Sequence, residues 1–105
     1  LLLYFGRALT EIAEVGTIGA RKYTRGGWQT VPDGGNRYTS AMLRHLLTEQ
    51  REERDSETNM YHAAQVAWNA LARLELILRE KELKNEPVCS NVPNLGPGSG
   101  TWSER

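Results

Sequence analysis

Inside the stretch YHAAQVAWNAL, His62, Gln65 and Asn69 recur at intervals of three and four. Residues so spaced share one side of an α-helix, and the rest of this helix is almost entirely apolar. Imidazole and carboxamide groups in such surroundings need hydrogen-bond partners or a metal ion. A second source of chemistry lies upstream, where His45 and Glu49 precede Asp55 and Ser56. Counting outward from Asp55 and Ser56 brings His45 and Glu49 level with His62 and Gln65 on a neighbouring helix. Imidazoles, carboxylates and amides then converge between two helices, a nest for a divalent cation or for phosphate bridged by one. The competing reading is a hydrogen-bonded polar network that pins helix register.

Two further groupings carry chemistry. Glu11 and Glu14 in EIAE place two carboxylates on one helix face, within reach of one cation; Glu49 with Glu52, and Glu52 with Asp55, repeat the spacing. Acids three apart also occur on solvated faces, and the charged run TEQREERD suits that reading equally. In GARKYTRGGW, Lys22 and Arg25 offer phosphate contacts, while Tyr23 and Trp28 offer flat faces for a base. The alternative there is a helix C-terminus carrying cations, followed by a Trp that plugs the core. No Walker loop, CxxC pair, HExxH, EF-hand loop or nucleophile elbow is present.

Three helical segments must position these groups. The first spans about residues 7–23, with Leu9, Ile12, Ala13, Gly16, Ala20 and Tyr23 on one stripe. TRGGWQTVPDGGN follows as a connection with too many breakers for a regular element. Asn36 is a plausible N-cap for a second helix over about residues 37–54, facing inward with Tyr38, Ala41, Met42, His45 and Leu46. A short turn at Asp55 and Ser56, with Ser56 as cap, leads to a third helix reaching about residue 83. Met60, Ala64, Ala67, Leu71, Leu74 and Leu78 form a heptad-like seam on it. Residues 1–84 thus read as one all-α domain, and residues 85–105 as a Pro/Gly-rich flexible tail or an arm lying on a partner.

The chain has 105 residues and a net charge of zero, so no nucleic-acid polymer or anionic membrane is expected as a partner. The opening LLLYF is far too short to span a bilayer, lacks the features of a signal peptide, and reads as a lead-in docked on the core. Cys89, the single cysteine, excludes an intrachain disulfide framework and fits a reducing cytosol.

Taken in order, ALTEIAEVGTIGARKYTRGGW, RYTSAMLRHLL and DSETNMYHAAQVAWNALARLEL resemble the phage and bacterial dATP/dGTP diphosphohydrolase family. These are small all-α relatives of the MazG-type nucleoside triphosphate pyrophosphohydrolases. The likeness runs over about residues 8–76 and marks Gly19, Ala20, Lys22, Tyr23, Trp28, Tyr38, Ala41, Arg44, His45, Asp55, Glu57, His62 and Asn69. Where the family carries a second His, this chain has Gln65. The resemblance implies hydrolysis of a (deoxy)nucleoside triphosphate to its monophosphate and pyrophosphate, with Mg2+ or Mn2+, in a bacterial or phage-infected cytoplasm. Glu11, Glu49, Glu57 and His62 would be catalytic. Glu11, Glu14, His45, Asp55, Glu57 and His62 would hold the metal. Lys22, Tyr23, Arg25, Trp28, Arg44 and Asn69 would bind substrate. Three helices cannot enclose a nucleotide and still bury the seam, so a homo-oligomer is expected. A non-catalytic helical adaptor on the same scaffold is the alternative, favoured by Gln65.

Overall fold

The computed structural model describes residues 1–84; the expected tail lies outside them. Its core is an antiparallel pair of helices, α2 (Gly34–Thr48) and α3 (His62–Leu83), with α1 (Gly6–Lys22) packed against α3. The pairing direction is fixed by three contacts along the length. Gly34 sits against Leu76, with 3.0 Å to its Cδ1 for a Cβ built there. Arg73 Nε donates to Thr39 Oγ1 over 2.6 Å, and His45 meets His62 at the other end. Among the described residues there is no strand, only one isolated antiparallel bridge between Arg54 and Tyr61. No helix among them is long and apolar enough to cross a membrane.

Several local expectations are corrected. α2 begins at Gly34, ahead of Asn36, so Asn36 is not the cap; its amide donates to Asp33 Oδ1, and Asp33 takes the N-cap place in a left-handed backbone conformation. TRGGWQTVPDGGN does hold regular structure: a 3-10 turn at Gly27–Thr30 and the first turn of α2. The α2–α3 connection is not a short turn at Asp55 and Ser56 but the whole of residues 49–61, and Ser56 caps nothing. The chain's hydrogen bonds explain why the charged run leaves the helix. Asp55 accepts from the Glu57 N–H at 2.8 Å, closing an Asx turn. Asn59 adopts a left-handed backbone, which Asn tolerates better than most residues. The Asp55 N–H then reaches Met60 O and the His62 N–H reaches Glu53 O, a small clasp that hands Asp55 to the head of α3.

The inward face of α3 is the polar line itself. His62 and Asn69 are 3% and 7% exposed, and among the described residues the buried apolar side chains are those of Ala64 and Ala72. The expected Met60-to-Leu78 seam is covered only in part, because Leu71 and Leu74 remain 52% and 50% exposed. Leu46 on α2 is also exposed rather than inward-facing. LLLYF forms a 3-10 turn at Leu2–Phe5 but docks on no core: all of Leu1 to Phe5 are exposed. Trp68 anchors the other side of α3, edge-on to both Trp28 and Tyr38, whose hydroxyl donates to Trp28 O. Gly16 lets α1 approach this ring, the indole Nε1 lying 3.0 Å from a built Cβ.

Candidate functional site

Where the C-terminal end of α2 meets the start of α3, His45, Asp55 and His62 each bring one ligand atom within 4.8 Å of the others. The two imidazoles face each other, Nδ1 to Nδ1, at 2.9 Å. Behind His62, Nε2 lies 3.1 Å from Glu52 Oε2, a carboxylate contributed by the connection. Asp55 is held from two sides, by the Glu57 N–H and by Gln65 Nε2 at 3.2 Å from Oδ2. Asn69 is buried one turn further along and donates to Gln65 O, keeping its carboxamide inside the helix interface. Every buried side-chain polar atom among the described residues finds a partner.

The electrostatics favour neutral imidazole and ionised carboxylate. Partial burial holds His45 below its ordinary value; the neighbouring His62 and Arg44 act the same way, and Asp55 opposes them. Burial pulls Asp55 upward, but the hydrogen bonds from Glu57 and Gln65, with the two nearby histidines, outweigh it and the carboxyl lies below the usual range. Both are the states in which these side chains bind cations.

Other expected site residues stand elsewhere in the chain. Lys22 is ion-paired to Glu57 at 3.0 Å, on the surface, and lies near the Tyr23 ring. Tyr23 is 75% exposed, and Arg25 and Arg44 are exposed as well. Trp28 is committed to the packing around Trp68, with the Arg79 guanidinium over its ring. Glu49 is half-buried at the end of α2. Glu11 and Glu14, on α1, are not members of the His45–Asp55–His62 cluster; Glu11 lines a small groove with Tyr61, Ala64 and Ala67. Helical spacing named Glu52 only beside Glu49 and Asp55; its contact with His62 runs through an irregular connection ten residues upstream, which spacing could not have found.

A family model described as "dATP/dGTP diphosphohydrolase, N-terminal" matches residues 1–86. The chain belongs to this family. The match covers all of the helical core, so in this diphosphohydrolase-family domain the cluster lies within the matched region, not in an appendage. No curated protein and no solved structure matches the chain.

Proposed function

We propose that this chain hydrolyses (deoxy)nucleoside triphosphates of the dATP/dGTP type to monophosphate and pyrophosphate, using a divalent cation held at His45, Asp55 and His62. The observation that carries this reading is the convergence of those three ligand atoms within 4.8 Å in a chain of this family. The donor set suits a cation: two ring nitrogens and a carboxylate, braced by Glu52, Gln65 and the Glu57 N–H. When bound, such an ion neutralises phosphate charge and lowers the pKa of a bound water.

The chain's own side chains supply the rest. Lys22, Arg25 and Arg44 balance the phosphates; Lys22 must first leave Glu57, and an exposed pair of that kind yields readily. Glu49 and the released Glu57 serve as proton acceptors for the attacking water. The exposed ring of Tyr23 stacks on the base, a role Trp28 fills less well because its ring is occupied. Glu11 and Glu14 stand outside the cluster and are assigned no step, while a homo-oligomer would cover the exposed Leu71 and Leu74. The rival reading, a helical adaptor without catalysis, draws on the same exposed apolar surface.

Incubation with dATP, dGTP and other triphosphates, with Mg2+ or Mn2+, separates the two. Pyrophosphate release that disappears in Asp55→Asn supports the hydrolase; no turnover with any substrate supports the adaptor.

A further inference from the structure

The Mg2+ expected from phosphate chemistry and the ligands present here are poorly matched. Mg2+ prefers oxygen donors in a near-ideal octahedron and gives up its water reluctantly. The cluster instead offers two imidazole nitrogens for each carboxylate, and His62 is buried. A cation held by His62 would have to give up water where the ring is buried. Imidazole suits first-row transition ions, whose affinity for nitrogen donors is higher.

The tautomer of His62 is set by its neighbour. Nε2 lies 3.1 Å from Glu52 Oε2, and since a carboxylate accepts, the tautomer with its hydrogen on Nε2 satisfies this contact and leaves the Nδ1 lone pair free. In the metal-free chain that lone pair accepts the Nδ1–H of His45 across 2.9 Å. In the tautomer of His45 that carries its hydrogen on Nε2, the Nδ1 atoms of both rings would be free to hold a cation. Glu52 would then orient His62 as an outer carboxylate orients a metal-binding imidazole.

We infer that His45, Asp55 and His62 form a two-imidazole, one-carboxylate centre selective for a later first-row transition ion such as Co2+ or Zn2+ over Mg2+, with Glu52 as the residue that positions His62. This rests on the metal-centre reading above, but not on turnover.

The test is direct binding to the full chain after chelator treatment, with each ion titrated alone by calorimetry and Co2+ followed by its visible absorption. The expected result is about one transition ion per chain, bound at least about 100-fold more tightly than Mg2+. His45→Gln should abolish binding. Glu52→Gln, at an exposed position that leaves the core intact, should weaken it about 10-fold or more with unchanged helical circular dichroism. Mg2+ binding as tight as Co2+, no ion bound at all, or full affinity in His45→Gln would each overturn the inference. Metal binding without triphosphate hydrolysis would sink the hydrolase reading alone.

Discussion

His45 and Asp55 are held in opposite ways by one small space. Burial holds the imidazole of His45 below its ordinary value of 6.5, while hydrogen bonds keep Asp55 ionised despite its partial burial. In the unfolded chain His45 takes up a proton near 6.5, whereas in the fold it resists. The unfolded state therefore binds more protons, and stability falls as pH drops through that value. Denaturant titrations of the chelator-treated protein between pH 8 and pH 5 should show this loss, and His45→Gln should flatten it. A profile with no slope in the wild type would contradict the burial of this ring. At this scale helical spacing picked out His45 and His62 as groups between two neighbouring helices. The count rested on a short turn at Asp55 and Ser56, whereas the contact between the two rings depends on the longer connection over residues 49–61. Glu52 was named only through its spacing from Glu49 and Asp55; its contact with His62 was not legible, since nothing in a charged run tells which acid an irregular connection will turn inward.

The helices explain why those side chains meet. α3 buries its polar line because α2 packs there, through Thr39, His45 and Gly34, while Trp68 takes α1 and the 3-10 turn on another side. Truncating Trp68→Ala removes the ring shared by Trp28, Tyr38 and Gly16, and should lower unfolding stability by about 3 kcal/mol. Two glycines of α1 should respond in opposite directions. A Cβ at Gly19 meets nothing within 4 Å, so Gly19→Ala should stabilise by about 0.5–1 kcal/mol through helix propensity. A Cβ at Gly16 meets the Trp68 indole at 3.0 Å, and that ring is wedged between two others, so Gly16→Ala should lower the Tm. Equal shifts for the two variants would refute this packing. Helix existence was legible from periodicity. The end of α2 was not, because Glu49 to Arg54 are good helix formers and only the Asx turn at Asp55 and the left-handed Asn59 divert them.

The described residues as a whole bury little. No side chain among the described residues is fully buried, and Leu1 to Phe5, Leu71, Leu74 and Leu83 lie open. A shallow groove lined by Leu9, Ile12, Ala13, Trp28, Trp68 and Leu71 runs between α1 and α3. Exposed apolar area of this kind marks an association surface. Sedimentation at micromolar concentration should show a homo-oligomer that Leu71→Glu with Leu74→Glu dissociates; a wild-type monomer would remove the second copy from the account. α3 turns its polar line inward and leaves part of its leucine seam outside, so the cluster lies within the hairpin and the apolar surface lies outside it. The most direct check is pyrophosphate release from dATP and dGTP by the wild-type chain with Mn2+. The account predicts turnover that falls at least about 100-fold in Asp55→Asn. An equal rate in that variant, or none in the wild type with any divalent ion, would contradict it.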